Sequence, residues 1–218
     1  TLNGQEAMRR MAGDFFPAVA RLGETTARMH LALASVDDDA AFAPEPVGED
    51  DVQRAIEGFR KQVDTVLHDL GRQLEAIPGS FSANVREPLR EVVRAAPDLR
   101  HMAEDLRALS GETVKVRIHG DYHLGQVLRA NGNAPGGSEW YVLDFEGEPA
   151  RPLSARRSKQ TVLRDVAGML RSFSYAAHSA LRQRPADERE DLELPLAERL
   201  DQRAHAFARQ AVETISAG

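Results

Sequence analysis

Apolar residues recur at steps of three and four in five stretches of the chain, which is the spacing of helices that bury one face. The stripes run over residues 8–33, 52–77, 89–109, 162–181 and 196–215. Arg, Glu and Asp fill the positions between them, so each stripe predicts an amphipathic helix. Pro88 and Pro97 fit the first turn of a helix better than its middle, because proline lacks a backbone donor.

The pattern changes in the middle of the chain. Residues 113–118 alternate between apolar and polar with period two, which predicts a half-buried strand. Residues 126–129 and 139–143 predict two more strands, and the glycine-rich segment 131–137 between them predicts a hairpin loop. We therefore expect a mainly α domain with a small β island (α+β), formed by residues 1–218 as a single domain.

Composition narrows the function. The 218 residues carry a net charge of -6, which disfavours nucleic acid and anionic membrane surfaces as partners. There is no cysteine, so disulfides, thiolate nucleophiles and zinc–thiolate sites are excluded. No apolar run approaches the roughly 20 residues that span a bilayer, and the first residues do not resemble a signal peptide. We expect a cytoplasmic protein.

Two polar clusters interrupt the β island. The first, residues 118–126, contains His119, Asp121 and Gln126, and the second, residues 143–148, contains Asp144. Each Asp alone is typical of a turn. Strand pairing would bring the two carboxylates together, and two such acids can divide the work between orienting a nucleophile and holding a metal.

The spacing of these residues is similar to the catalytic and metal loops of protein kinases, which read H-R-D-x-x-x-x-N and D-F-G. His119-Gly120-Asp121 corresponds to H-R-D, and Gln126 corresponds to the Asn of the same loop. Asp144-Phe145-Glu146-Gly147 stands at the second motif. In that chemistry the first Asp accepts a hydrogen bond from the attacking hydroxyl, and the amide oxygen and second Asp hold Mg²⁺.

With Gly in place of Arg, the loop resembles those of small-molecule kinases related to aminoglycoside phosphotransferases, and most closely those of maltokinases. The resemblance rests on four stretches, residues 22–30, 119–126, 144–153 and 163–173. It implies the C-terminal lobe of a protein-kinase-like phosphotransferase, with the catalytic and metal loops within residues 114–149. It also implies ATP-dependent phosphorylation of maltose to maltose 1-phosphate, with Mg²⁺.

The resemblance implies site roles residue by residue. Asp121 is expected to be catalytic, and Gln126 and Asp144 to bind Mg²⁺. His119 is expected to anchor its loop and Asp165 to brace it. Four residues are expected to contact the sugar: His123, Glu146, Arg151 and Tyr175. A structural role stays open for His123.

The resemblance also implies an absent part. The nucleotide-covering N-terminal lobe and its lysine are expected outside this chain, so no nucleotide-binding residue is assigned. A fused trehalose synthase domain is a further expected partner. The 218 residues alone are expected to fold but not to phosphorylate maltose at a useful rate.

Three other functions stay open. A related kinase would act on glucosamine, another sugar or an aminoglycoside. A metal-dependent hydrolase would use His119, Asp121 and His123, which alternate as zinc ligands can. A non-catalytic module of a fused enzyme would carry out neither phosphoryl transfer nor hydrolysis. Basic residues outnumber acidic ones by six to one between residues 151 and 171, which would attract ATP or a phosphorylated product.

Overall fold

The structure is a computed structural model that describes residues 15–76, 82–111, 113–131 and 138–183. Part of the first stripe, all of the last one and most of the predicted hairpin loop lie outside these ranges. The chain divides into two compact units. One is continuous and covers residues 45–114, and the other combines residues 1–44 with residues 115–218. That all 218 residues act as one domain stays a prediction.

The described elements confirm a mostly helical chain with a small strand island. Two 3₁₀ segments, Ala103–Leu109 and Leu124–Gln126, accompany the helices and strands. The elements follow in chain order as α1 Phe15–Ala34, β1 Glu45–Pro46, α2 Glu49–Ala76, α3 Ala83–Arg94, α4 Ala96–Met102, β2 Val114–Lys115, β3 Val127–Asn131, β4 Ser138–Val142, α5 Leu153–Arg156 and α6 Leu163–Arg182.

The continuous unit is built on α2, whose stripe places Val52, Ile56, Leu67 and Leu74 in the interior. Its buried cluster joins Val52 and Ile56 to residues from either end of the unit, including Val47 and Ala103. The backbone N–H of Val47 donates to the carbonyl of Thr113 at 2.9 Å, which ties the two ends of the unit together. The unit therefore closes its own apolar core.

The third predicted helix is divided in the structure. Instead of one helix over residues 89–109, α3 ends at Arg94, and Ala95 leaves helical geometry with φ of -75° and ψ of 4°. Pro97 lies in the first turn of α4, as expected. Pro88 was expected to begin a helix and lies inside α3 instead. The break follows from Pro97, which cannot continue a helix without losing a backbone hydrogen bond.

Charged residues cover the outer face of α2, the longest described helix, at 28 residues. Arg54 pairs with Asp51 at 2.6 Å on the first turns of this helix. Further along, Arg60 pairs with Glu104. Within the described ranges, no helix has both the length and the apolar composition that crossing a membrane requires.

The discontinuous unit contains the predicted hairpin. Strands β3 and β4 pair antiparallel, with Val127 opposite Val142. The predicted first strand is shorter than expected, because only Val114–Lys115 is a strand and Val116 adds an isolated bridge to Gln160. The buried cluster of this unit combines one face of α1, the hairpin and α6, and consists of Val19, Leu22, Tyr122, Val127, Val166 and Met169. The hairpin is thereby fixed against two helices, and the loops at its end are positioned with it.

Candidate active site

Two loops meet at the end of the hairpin: the Asp121 loop, residues 118–126, and the Asp144 loop, residues 143–148. Gly120 has a φ of +83° and Gly147 a φ of +73°, a conformation that glycine adopts at little steric cost. A Cβ on Gly120 would lie 3.4 Å from the Cα of Gly147. Glycine at these two positions therefore lets the loops pass close to each other, as the two polar clusters in the sequence predict.

Asp165 holds the backbone of the Asp121 loop. It lies in the first turn of α6 with 1% of its surface exposed. Its Oδ2 accepts the N–H of His119 at 2.9 Å, and its Oδ1 accepts the N–H of Gly120 at 2.9 Å. The imidazole Nε2 of His30, on α1, lies 2.9 Å from the same Oδ2. The expectation that Asp165 braces this loop is confirmed, and the brace extends to a second helix.

The buried ring of His119 joins the two loops. Its Nε2 donates to the carbonyl of Leu143 at 2.7 Å, and its Nδ1 accepts the N–H of Asp121 at 3.3 Å. The ring also packs against Phe145, with 5.0 Å between the ring centroids. Both ring nitrogens are occupied, so His119 anchors the loops, as expected, and is not available as a base.

Tyr122 fixes the next position of the loop in the core. Its hydroxyl lies 2.7 Å from Oγ1 of Thr26, which donates to the carbonyl of Leu22 at 2.7 Å. Because Thr26 donates its only hydroxyl hydrogen to Leu22, the hydroxyl of Tyr122 is the donor in its bond with Thr26. Burial raises the pKa of Tyr122 to about 12, and the negative charge of Asp165 adds to that effect. Tyr122 therefore stays neutral at physiological pH.

With its neighbours fixed, Asp121 projects into a partly exposed space. Oδ2 of Asp121 lies 4.0 Å from Nε2 of His123, whose Nδ1 accepts the N–H of Gly125 at 3.0 Å. The imidazole of His123 is thus oriented toward Asp121. A hydroxyl or amine that enters this space meets a carboxylate and an imidazole side by side.

Gln126 and Asp144 face each other across the hairpin. The amide Nε2 of Gln126 donates to Oδ2 of Asp144 at 3.1 Å, and the N–H of Leu143 donates to the carbonyl of Gln126 at 2.9 Å. Asp144 has a φ of +61°, in the left-handed region that costs residues other than glycine backbone energy, Asp less than most. Strain of this kind is typical of functional loops.

This pair fits a magnesium ion that shares its coordination with phosphates. Mg²⁺ is commonly held by one or two carboxylates and completes its shell with phosphate oxygens and water. The Gln126 amide, which contacts the Asp144 carboxylate, carries one oxygen of the kind that Mg²⁺ binds. The described residues contain no group of three or more His, Asp or Glu side chains that could hold a metal without such help.

The expected sugar-binding residues are not all brought together. Glu146 lines a cavity beside the Asp144 loop. Arg151 pairs with Glu148 at 2.6 Å. Tyr175, on α6, is 76% exposed and has no hydrogen bond or ring contact with another described residue. The structure thus joins Asp121 with His123, and Gln126 with Asp144. The sugar-binding roles of Glu146, Arg151 and Tyr175 stay predictions.

His30 received no role from the sequence, and Arg164 was counted only among the basic residues between 151 and 171. His30 follows Leu22 and Thr26 at steps of four on the buried stripe of α1, where a polar residue requires a partner. Arg164, on α6, lies 3.4 Å from Glu148. Burial lowers the pKa of Arg164, and the positive charge of Arg151 acts in the same direction. The carboxylates of Glu148, Asp165 and Asp121 oppose this shift.

Solved sugar-kinase structures share this fold. A glucosamine kinase superposes with a TM-score of 0.70 at 27% sequence identity, over 92% of this chain and 41% of that one. A second structure, of a glucosamine kinase in complex with glucosamine, ADP and inorganic phosphate, gives a TM-score of 0.69 at the same identity. The fold of this chain is therefore similar to part of a glucosamine kinase.

The sequence is similar to the same kind of enzyme. It is 31% identical over 166 residues to the glucosamine kinase of Streptacidiphilus jiangxiensis, covering 76% of this chain. It is also 31% identical over 160 residues to the glucosamine kinase of Mycolicibacterium smegmatis. The chain spans 32% and 33% of the length of these relatives. No protein-family profile matches the chain.

Proposed function

We propose that this chain is the catalytic part of an ATP- and Mg²⁺-dependent sugar kinase, the C-terminal lobe of a protein-kinase-like fold, whose acceptor is glucosamine or a similar amino sugar. The observation that carries the proposal is the pair of loops fixed by His119 and Asp165. They present Asp121 beside His123, and Gln126 beside Asp144. The similarity to glucosamine kinases supports the same chemistry.

In this proposal Asp121 aligns the acceptor. Its carboxylate accepts a hydrogen bond from the attacking hydroxyl and takes the proton as the new O–P bond forms and the bond from the γ-phosphorus to ADP breaks. His123 holds a neighbouring group of the acceptor. The bonds from Asp165 to the backbone keep Asp121 in place without a change of shape, which favours phosphoryl transfer because positioning supplies much of its catalysis.

Gln126 and Asp144 are the residues that would hold Mg²⁺. The chemistry that such an ion would supply is neutralisation of phosphate charge during transfer. The lobe that covers the nucleotide would be supplied by residues outside this chain. We therefore expect these 218 residues alone to be inactive, and a trehalose synthase fusion has no support from the relatives compared with this chain.

Glucosamine is favoured over maltose as the acceptor. The sequence resembles maltokinases, but the relatives and solved structures reported above are named for glucosamine. Charge also favours an amino sugar, because the carboxylate of Asp121 attracts an ammonium group more strongly than a hydroxyl. Maltose was the first expectation from the sequence, and we replace it with glucosamine.

The hydrolase alternative fits the geometry less well. A zinc site on His119, Asp121 and His123 needs a free lone pair on each imidazole. Nδ1 of His119 accepts the N–H of Asp121, and its Nε2 donates to the carbonyl of Leu143. His119 would have to give up its anchoring role to bind metal.

The test is an acceptor comparison with the full-length protein that carries these residues. ADP release from ATP and Mg²⁺ is measured with glucosamine, maltose, an aminoglycoside or no acceptor. We expect release that depends on glucosamine and exceeds release with maltose at least tenfold in kcat/KM. Preference for maltose would overturn the acceptor assignment. The absence of acceptor-dependent release would favour a non-catalytic module.

A further inference from the structure

The cavity that Glu146 lines, beside the Asp144 loop, is polar. Its volume is about 350 Å³, and it is lined by Arg117, Phe145, Glu146, Leu153, Arg156 and Arg157. Neither Asp121, Gln126 nor Asp144 lines it. Three arginines and one glutamate line it, in a chain whose net charge is -6. The cavity is therefore a local concentration of positive charge that the proposed kinase centre does not use.

These arginines have no carboxylate partner within ion-pair distance among the described residues. Arg117 donates to the backbone carbonyl of Arg157 and lies 5.6 Å from the centroid of the Phe42 ring. Arg156 donates to the backbone carbonyl of Glu146 at 3.3 Å, and its buried Nε–H has no acceptor in the described chain. Backbone carbonyls accept hydrogen bonds but carry no net charge, so they do not neutralise the positive charges of these arginines.

Neighbouring basic residues behave differently. Arg151 pairs with Glu148 at 2.6 Å, and Arg164 lies 3.4 Å from the same carboxylate. The excess of positive charge in residues 151–171 is thus partly neutralised by Glu148, while Arg156 and Arg157 line the cavity.

We propose that this cavity binds a phosphate dianion, as a sugar phosphomonoester or as inorganic phosphate. Guanidinium groups present paired N–H donors that match phosphate oxygens, and three arginines line this cavity. Glu146 in the same lining accepts hydroxyl groups, which favours the sugar ester over the free ion. Because Phe145 and Glu146 directly follow Asp144, an occupant braces the loop that carries Asp144.

Titration calorimetry of the full-length protein tests this site, in low-salt buffer without nucleotide or Mg²⁺. The ligands are glucose 6-phosphate, inorganic phosphate and glucose. We expect both phosphates to bind, and glucose not to bind. Arg157→Gln is expected to weaken phosphate binding about tenfold, as the loss of one charge-assisted contact does. Arg157 is exposed, so this variant should fold, which its thermal unfolding midpoint verifies.

Two control variants distinguish phosphate binding in this cavity from phosphate binding elsewhere on the protein. Arg171→Gln removes an exposed guanidinium on α6 that does not line the cavity, and affinity should be unchanged. Asp121→Asn changes the proposed kinase centre and should not weaken phosphate binding. Tighter binding of glucose 6-phosphate supports the sugar ester, and equal binding supports inorganic phosphate. Equal losses in Arg157→Gln and Arg171→Gln, or no phosphate binding, would overturn the proposal.

Discussion

The continuous unit and the discontinuous unit differ in where their polar residues lie, at the surface in one and also in the interior in the other. In residues 45–114 the buried cluster is apolar, and the charged side chains form pairs at the surface, such as Arg100 with Asp64 at 2.6 Å. The other unit contains all of the buried polar residues among those described: Thr26, His30, His119 and Asp165. Each of these four side chains contacts the Asp121 loop or a residue bonded to it.

The contrast indicates where function lies. Exposed ion pairs contribute at most about 1 kcal/mol each, so the continuous unit depends on its apolar core. A buried polar group costs stability unless it is hydrogen-bonded, and a group of them is retained where it fixes a particular geometry. The discontinuous unit uses that costly arrangement at the two loops that carry Asp121 and Asp144.

The largest stability difference between the units is expected for two aspartates. Asp165→Ala leaves the N–H groups of His119 and Gly120 and the imidazole of His30 without their acceptor, and should cost about 3–5 kcal/mol of unfolding free energy. Asp64→Ala removes only the exposed pair with Arg100 and should cost less than about 1 kcal/mol. Urea unfolding measures both, and similar losses would contradict the contrast.

Glycine-to-alanine substitutions should act with opposite signs in the two units. A Cβ on Gly168, in α6, would lie 2.7 Å from the carbonyl oxygen of Tyr122, so Gly168→Ala should destabilise by about 1–3 kcal/mol. A Cβ on Gly58, in α2, meets nothing within 4 Å, so Gly58→Ala should stabilise by about 0.5–1 kcal/mol. Thermal unfolding of both variants makes the comparison, and stabilisation by Gly168→Ala would show that the loop does not pack against α6.

A smaller effect is expected from the alkaline titration of Tyr122. The native state binds the phenolic proton more tightly, with a pKa raised from 10.0 to about 12 by burial. The stability that this provides is complete below about pH 10 and falls by about 2–3 kcal/mol as the pH rises through 12. Tyr122→Phe should remove this part of the pH dependence in urea unfolding between pH 9 and 12.

Exposed Tyr141 provides the control for that titration. Its hydroxyl donates to Glu139 at 2.8 Å at the surface, so Tyr141→Phe should leave the steep alkaline loss of stability in place. If Tyr122→Phe and the unsubstituted protein lose stability in parallel above pH 10, Tyr122 is not the buried group that the structure describes.

The sequence predicted the helices best where one face is continuously apolar. The stripes through Leu22, Ile56 and Met169 correspond to α1, α2 and α6, because burial of one face repeats every turn. The prediction of one helix over residues 89–109 was wrong, because Pro97 interrupts the helix although the apolar stripe continues. The predicted strand over residues 113–118 shrank to a two-residue strand and one bridge, because alternation alone does not supply a pairing partner.

For the site, sequence spacing indicated the two loops but not what holds them. Asp121, Gln126 and Asp144 stand in a local pattern that is readable without a structure. The bond between His30 and Asp165 joins residues 135 positions apart, and no local spacing encodes such a contact. Thr26 and Tyr122 are likewise 96 positions apart. Long-range polar contacts of this kind become visible only when the helices are packed.

The most direct measurement is the steady-state turnover of Asp121→Asn in the full-length protein, with glucosamine, ATP and Mg²⁺. Asp105→Asn, an exposed change in the continuous unit, is its control. If the buried bonds of the discontinuous unit position a carboxylate for phosphoryl transfer, Asp121→Asn lowers kcat by about 10²–10⁴-fold, leaves nucleotide affinity within about twofold, and Asp105→Asn changes neither. Near-normal kcat in Asp121→Asn would contradict this account.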